Sequence, residues 1–178
     1  MDITKRSDYA FRMLRAAYDN LGTLVSVADV AKTEDIPYSF ARSIQHDLVK
    51  GGLLKTARGS SGGFSLACDP RTTTLLDVVE AVQGPVVVAP CSSHADMCAF
   101  SDGCAYNQLW AGASAMLNAY FASITLHDLF CLKADHPSIR CAKAGAGFKA
   151  CTGSGVGNFS CGDVMAVGTP NGTNSDCA

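Results

Sequence analysis

PYSFARSIQHDLVKGGLLKTARGSSGGFSLA, residues 37–67, decides the fold of this chain. Pro37 suits the first turn of an α-helix, and the apolar pattern after it predicts a helix over residues 38–50. Two glycines end this helix. Residues 53–67 then predict two short strands joined by the Gly-rich turn 59–63. The stretch therefore predicts one helix followed at once by a β-hairpin.

The residues before this stretch predict two further helices. Thr4 is placed to cap a first helix, whose apolar residues recur at three- and four-residue steps until Gly22 ends it. Ser26 and Asp29 form a capping arrangement that opens a short second helix through Lys32. Two short helices joined by a tight turn are a helix-turn-helix, and a hairpin directly after one makes a winged helix. We predict a mainly α fold with a small β-hairpin wing.

The faces of the third helix and of the wing suggest different roles. The inner face of the third helix is predicted from its apolar residues, Phe40, Ile44, Leu48 and Val49. Arg58 stands where the wing tip begins, and an arginine there can enter a narrow minor groove of DNA. The alternative is a generic hairpin with a solvated arginine.

After the wing the pattern is again helical. Thr74 opens a fourth helix that Gly84 ends, a longer helix spans about residues 106–122, and a short last turn covers 125–130. The long helix carries a wide apolar and aromatic face, made of Leu109, Trp110, Ala113, Met116, Leu117 and Tyr120. This face either packs on its own domain or meets itself across a two-fold axis, and we favour the dimer.

These patterns divide the chain into four segments. The last segment, residues 131–178, holds eight of the 17 glycines and five of the nine cysteines, with few large apolar residues. That composition favours a flexible tail, with a second metal site as the alternative. The segments are a DNA-binding domain (1–84), a cysteine loop (85–105), a dimerisation helix with the last turn (106–130) and a Gly/Cys-rich tail (131–178).

Composition and charge restrict the location and the partners. No apolar run approaches the roughly 20 residues needed to cross a bilayer, and the start lacks the apolar stretch of a secretory signal, so we expect a cytoplasmic protein without membrane contact. The net charge is −2, but residues 1–71 carry ten Lys/Arg against eight Asp/Glu, which is +2. A local basic surface is therefore compatible with DNA, whereas a large non-specific electrostatic grip is not.

Three cysteines between the two predicted helical regions suggest a metal or redox site. Cys91, Cys98 and Cys104 are separated by six and five residues. In a reducing cytosol, cysteines indicate metal or redox chemistry before disulfides. Thiolates suit zinc, copper(I) and iron–sulfur clusters, and three of them need a fourth ligand. Structural zinc completed by His94 or Asp96, or direct oxidation of the thiols, are the alternatives to a cluster.

Enzyme chemistry is not indicated by the sequence. No catalytic triad, phosphate-binding loop or general acid–base pair is present among its motifs, and the four histidines are scattered along the chain. Asp8 and Arg12 stand four residues apart on the first helix, so their side chains can meet. By itself this spacing is typical of a surface ion pair.

The ordered set of motifs over about residues 1–130 resembles the Rrf-two family of bacterial transcription regulators, whose members include IscR, NsrR, RirA and CymR. No single motif decides the resemblance, but their order along the chain is specific. The matching stretches are Ile3-Thr-Lys5, Asp8-Tyr-Ala10, VADVA (27–31), GLL (52–54), RGSSGGF (58–64), LDVV (76–79), EAVQG (80–84), the three cysteines, Leu109-Trp110 and ITLHDL (124–129).

The resemblance implies a winged-helix homodimer that binds a palindromic DNA operator and senses nitric oxide, iron or redox state through an iron–sulfur cluster. Cys91, Cys98 and Cys104 match the family's cluster ligands. Asn107 stands where IscR-like members have a histidine ligand to a 2Fe–2S cluster. Asp8 matches the aspartate by which, in NsrR-like members, the partner subunit completes a 4Fe–4S site. The resemblance to NsrR-like members therefore favours a 4Fe–4S cluster, with Asp8 of the partner subunit as fourth ligand.

The resemblance also implies which residues contact DNA. Ser39, Arg42 and Ser43 align with the exposed early part of the recognition helix and are expected to read bases, since arginine can bridge guanine O6 and N7. Phosphate contacts are expected from Thr4, Lys5 and Tyr38. Together with Arg58 in the wing, these residues imply a transcription regulator and not an enzyme. We expect the regulator to be a repressor.

Overall fold

The computed structural model describes residues 3–59, 62–92, 98 and 103–131. Helices dominate, and one antiparallel hairpin follows the third of them. The elements are α1 (Lys5–Asp19), α2 (Val27–Thr33), α3 (Tyr38–Lys50), β1 (Leu54–Ala57), β2 (Gly63–Leu66), α4 (Leu75–Gln83), a 3-10 turn (Pro90–Ser92), α5 (Ala105–Ala122) and α6 (Leu126–Cys131). This order confirms the predicted winged helix-turn-helix followed by a long helix.

The core forms where α1 packs on α3, α4 and β2. Apolar residues at three- and four-residue steps give α1 one buried face, and α3 contributes Ile44 and Leu48 from its own inner face. Phe64 of β2 is fully buried among them. Burying one side chain of this size contributes about 1.5–3 kcal/mol, so this cluster is the main source of order in the winged domain.

The end of α1 and the buried face of α3 differ from the prediction. α1 ends at Asp19, before Gly22, and Leu21 beyond it is 55% exposed. Phe40 is 50% exposed and does not belong to the inner face of α3, where the neighbouring Ala41 is fully buried instead. The reason is geometric: Ala41, Ile44 and Leu48 define a buried stripe from which Phe40 is turned away.

The wing is held to the helices through its second strand. Leu54 pairs with Leu66 and Ala57 with Gly63 in antiparallel register. The Phe64 N–H donates to the Val25 carbonyl oxygen at 2.9 Å, and the Val25 N–H donates back to Phe64 at 2.8 Å. A Cβ atom on Gly63 would stand 2.5 Å from the Val25 oxygen, so only glycine permits this approach.

Capping residues fix where α2 and α4 begin. The Ser26 hydroxyl accepts from the Asp29 N–H, as predicted for the start of α2. Thr74 and Asp77 form a reciprocal capping box on α4. Gly84 ends α4 with φ +84, a conformation that glycine adopts without strain.

The chain divides into two units, Met1–Leu126 and His127–Ala178. Within the first unit, the Leu75 N–H donates to the Ile124 carbonyl oxygen and the Leu126 N–H donates to Thr73, which ties the end of α5 to the start of α4. The predicted tail lies outside the described residues, apart from Cys131. Among the described residues, no helix is both long enough and apolar enough to cross a membrane.

Candidate functional site

The outer face of α3 presents the residues predicted to read DNA. Ser39, Arg42 and Ser43 are exposed, and Tyr38 is 55% exposed at the start of the helix. They lie opposite the buried stripe of α3, because residues three and four apart share a face of the helix. The structure therefore gathers four of the seven predicted DNA-binding residues on one solvent-facing surface.

Arg6 joins α1 to this surface and was not singled out in the sequence. Its Nη2 donates to the Ser43 hydroxyl oxygen at 2.9 Å and forms an ion pair with the Asp47 carboxylate. Burial alone would raise the pKa of Asp47, but the hydrogen bond and the charge of Arg6, with a contribution from His46, lower it below its ordinary value. A cation in the first turn of a helix is disfavoured by the helix dipole. From this alone the sequence could have indicated that Arg6 pairs with an acidic side chain.

The start of α1 is fixed by Gln83 at the end of α4. Thr4 occupies the N-cap position, but its hydroxyl makes no cap and donates to Gln83 Oε1 at 3.3 Å. The buried Ser7 hydroxyl donates to the same oxygen at 2.7 Å. Thr4 is therefore the N-cap residue as predicted, but its hydroxyl does not cap α1, because the more distant Gln83 takes it. Lys5 beside it is exposed.

Arg58 follows β1 directly and is exposed. Its place after the last paired residue, Ala57, agrees with the predicted start of the wing tip. Residues 60–61 at the tip lie outside the described residues. Arg58 is thus available on the surface of the winged domain.

Three half-buried, free thiols belong to the predicted cluster ligands Cys91, Cys98 and Cys104. Cys91 lies in the 3-10 turn, and Cys104 is the N-cap residue of α5. Among the residues that the structure describes, no three His, Cys, Asp or Glu side chains stand close enough to hold a metal ion. His94 and Asp96, the alternative zinc ligands, lie outside the described residues.

Two side chains of α5 hold the segment that leads to Cys91. Asn107 donates from its side-chain nitrogen to the Cys91 carbonyl oxygen. Ser114, buried on the same face two turns later, accepts from the Val88 N–H at 3.0 Å. Asn107 therefore has a structural partner at the position where a histidine ligand would stand in IscR-like members.

Asp8 and Arg12 form the ion pair that their spacing predicted. Arg12 Nη2 lies 2.8 Å from Asp8 Oδ2, and Arg12 Nη1 donates to the Glu34 carbonyl oxygen at 3.0 Å. The Asp8 side chain is 54% exposed. Arg12 thus connects Asp8 to Glu34, the residue that ends α2 within the helix-turn-helix.

A second arginine of α1 holds the same residue. Arg15 Nη2 donates to both carboxylate oxygens of Glu34 at 2.8 Å, and this hydrogen bond and the Glu34 charge raise the pKa of Arg15 above its ordinary value. Asp35, the next residue, has φ +52, a left-handed conformation that aspartate tolerates better than most residues. α1 therefore anchors the turn between α2 and α3 through two arginines.

The predicted dimer face of α5 is largely uncovered. Leu109 is 58% exposed and Met116 39% exposed, and Ser114 is the only residue of α5 that this chain buries among those described. The other members of the face are partly exposed, namely Trp110, Ala113, Leu117 and Tyr120.

Comparison with known proteins agrees with the predicted resemblance. The family model Rrf2, "Iron-dependent Transcriptional regulator", matches residues 3–131. Protein aau3 of Rhizobium meliloti is 31% identical over 133 residues, covering 72% of this chain and 84% of its own. The HTH-type transcriptional regulator IscR of Vibrio vulnificus is 29% identical over 130 residues, covering 72% of this chain and 77% of its own.

Solved structures share the fold at lower identity. CymR, the global cysteine regulator of B. subtilis, is 21% identical, with a TM-score of 0.62 over 74% of this chain and 98% of its own. The family match covers most of the chain, and the relatives are transcription regulators, so the prediction that this protein is not an enzyme is confirmed. The chain belongs to the Rrf2 family of transcriptional regulators, the Rrf-two family that its motifs resemble.

Proposed function

We propose that this protein is a homodimeric repressor of the cytoplasm that binds a palindromic operator and senses nitric oxide, iron or redox state through a 4Fe–4S cluster. The observation that carries the proposal is Arg12, which contacts the Asp8 carboxylate and the Glu34 carbonyl oxygen. Asp8 is the proposed fourth ligand, and Glu34 ends the first helix of the helix-turn-helix. One side chain therefore connects the sensing residue to the DNA-reading unit.

The donor set of the chain suits such a cluster. Cys91, Cys98 and Cys104 are free thiols, and thiolate sulfur is the usual ligand of iron–sulfur clusters. Cys104 begins α5, where the unpaired N–H groups of the helix favour a negatively charged centre. Asp8 is more than half exposed, so it can reach a second subunit. The cluster would supply an iron centre with one oxygen ligand, which nitric oxide or oxygen can attack.

The carboxylate of Asp8 has two competing partners in this proposal. Paired with Arg12, as in this structure, it supports the contact between α1 and Glu34. If Asp8 binds the partner subunit's site instead, Arg12 keeps the Glu34 carbonyl oxygen and the Tyr9 ring but loses its ion pair. The change alters how firmly α1 holds the helix-turn-helix. Binding to two half-sites about one helical turn (~34 Å) apart is sensitive to the separation of the two reading helices.

The surface of the winged domain supplies the DNA contacts. α3 lies exposed with an arginine and two serines suited to base edges, and the wing adds an exposed arginine suited to a minor groove. We assign base reading to Ser39, Arg42 and Ser43, phosphate contacts to Thr4, Lys5 and Tyr38, and the minor groove to Arg58. Ser43 and Thr4 keep intramolecular partners in the free protein, Arg6 and Gln83.

The test is native mass spectrometry of protein purified without oxygen, with a visible spectrum and an operator gel shift on the same sample. We expect a dimer with a mass increment of one 4Fe–4S unit per subunit, broad visible absorption that nitric oxide bleaches, and operator binding that changes on bleaching. A 2Fe–2S increment would contradict the cluster type. A colourless protein carrying zinc, or carrying nothing after reconstitution, would contradict the sensor.

Direct thiol sensing is the second candidate, because the three thiols are free and partly exposed. The fold is also shared with a protein described as a cysteine regulator. In this case iron-free protein would change its operator affinity on treatment with peroxide and recover with a thiol reductant. Under the cluster proposal, iron-free protein would not respond to peroxide in this reversible way.

A further inference from the structure

The Arg6 guanidinium is held against α3, next to the residues that we assign to DNA contacts. It reaches from α1 across to α3, where it donates to the Ser43 hydroxyl oxygen and pairs with Asp47. The Arg6 and Asp47 side chains are only 30% and 27% exposed. The ion pair therefore keeps the guanidinium beside Ser43 instead of leaving it free in solvent.

This contact restricts what the Ser43 hydroxyl can offer to a base. A serine hydroxyl has one proton to donate and two lone pairs to accept with. An Arg6 N–H occupies one lone pair at 2.9 Å, so the hydroxyl proton must point away from the guanidinium. Donation from the cation also polarises the hydroxyl and makes it a better donor. Ser43 is exposed, so this donor faces the surface assigned to DNA.

A serine without such a neighbour does not discriminate between base edges, because its hydroxyl can donate or accept. One lone pair of Ser43 is occupied and a cation lies beside it, so a second donor is disfavoured at this hydroxyl. We propose that Arg6 is a specificity-determining, positioning residue that biases the Ser43 hydroxyl towards donating a hydrogen bond. On the strand that Ser43 faces, the base it reads then carries a major-groove acceptor, as guanine, adenine and thymine do, and cytosine with its N4 amino donor is disfavoured. The inference rests on the proposed function, in which Ser43 reads a base.

Asp47 has the matching supporting role. Its carboxylate pairs with the guanidinium, and this pairing with Arg6 lowers the pKa of Asp47. Asn at this position would keep an acceptor for Arg6 but remove the charge. Asp47→Asn should therefore weaken the restriction on Ser43 less than removal of Arg6 does.

The experiment selects operators from a pool with randomised half-sites, using the full-length dimer. We compare wild type with Arg6→Met, Ser43→Ala and the double variant. Arg6→Met should lower discrimination against cytosine at one position of each half-site by roughly three- to tenfold, the size of one hydrogen bond. Ser43→Ala should flatten the same position, and Arg6→Met should add nothing in the Ser43→Ala background. Arg6→Lys, which keeps a cationic donor, should restore part of the preference.

Three results would overturn the inference. If Arg6→Met lowered the affinity for all sequences equally, with a shallower salt dependence, Arg6 would be a phosphate contact. An unchanged profile would remove any role of Arg6 in reading, and an additive effect in the double variant would separate Arg6 from Ser43. If Arg6→Met does not fold, the Asp47→Asn and Arg6→Lys profiles decide in the same way. Wild type that selects no sequence would instead contradict the proposed function itself.

Discussion

α1 and α5 are the two longest helices of the described chain, but they are ordered in different ways. α1, with 15 residues, buries four apolar side chains completely, namely Ala10, Met13, Leu14 and Ala17. α5, with 18 residues, buries only Ser114 and leaves Leu109 and Met116 among the exposed large apolar residues. The winged domain therefore has a core of its own, whereas α5 offers apolar surface that the described part of the chain does not cover.

The difference suggests what each region needs. Apolar area removed from water stabilises a fold by about 25 cal/mol per Å², so α1 needs nothing beyond the chain. An uncovered aromatic and aliphatic face of this length is typical of an interaction site. We infer that α5 and the cysteine loop reach their functional conformation only when a second subunit covers α5 and a cluster binds the three cysteines. The following substitutions test this division, from the largest expected effect to the smallest.

Cys98→Ala should abolish the cluster altogether. Cys98→Ala removes one of the three thiolates, which are the usual ligands of iron–sulfur clusters and bind their iron more firmly than a carboxylate does. Anaerobically reconstituted variant protein should show no iron by mass and no visible absorption, while its thermal unfolding stays close to that of the iron-free wild type. Cys68→Ala, which removes another half-buried free thiol, is the matched control and should keep a full cluster. Cluster loss in the control as well would contradict the ligand assignment.

Phe64→Ala should destabilise the winged domain by about 3–5 kcal/mol, the range for truncating a buried aromatic side chain. Phe64 is fully buried, and its backbone pairs with Val25. Urea unfolding of the iron-free protein measures the effect. Phe40→Ala removes the same side chain from a half-exposed position and should cost about 1 kcal/mol or less. Equal losses in the two variants would show that the core does not lie where we place it.

Leu109→Lys should weaken the dimer by at least roughly 100-fold, because a charge placed in an apolar two-fold interface is desolvated twice. Sedimentation at a series of concentrations measures the dissociation constant. Gln108→Lys introduces the same charge at an exposed position one residue earlier, outside the predicted face, and should leave the dimer intact. A dimer that tolerates Leu109→Lys would mean that another surface joins the subunits.

Asp8→Ala should leave cluster assembly possible but make the cluster about ten times shorter-lived in oxygen or nitric oxide, since one ligand is lost. The decay of visible absorption measures this lifetime. Asp19→Ala removes an exposed carboxylate from the last residue of the same helix and serves as the control. An Asp8→Ala cluster as stable as that of wild type would exclude Asp8 as a ligand.

The smallest effect concerns the charges of the winged domain. The pKa of Asp47 is lower in the folded chain than its ordinary value of about 3.9. A lowered carboxyl pKa contributes stability that is present above the unfolded pKa and is lost as the pH falls through the folded pKa. As the pH falls below about 4, the free energy of unfolding should therefore decrease more steeply for wild type than for Asp47→Asn. Identical slopes would show that the Arg6–Asp47 pair does not stabilise the fold.

Local signals in the sequence predicted much of the fold. α3 begins at Tyr38 and ends at Lys50 as predicted, because a proline before it and two glycines after it act within one turn of the helix. The capping of α4 by Thr74 and the two short strands around the Gly-rich turn are local in the same sense. The Asp8–Arg12 pair was also predictable, since residues four apart on a helix are neighbours.

Contacts between distant parts of the chain were decided only by the tertiary structure. Arg6 meets Ser43 and Asp47, and Thr4 meets Gln83 across 79 residues. No periodicity encodes these pairs, because they depend on the angles and distances at which whole helices pack. The exposure of Phe40 has the same origin: helical spacing allowed an inward position, and the packing of α3 on α1 and α4 turned it outward. The sequence thus determined the elements and the chemistry available, and packing decided which side chains share a surface.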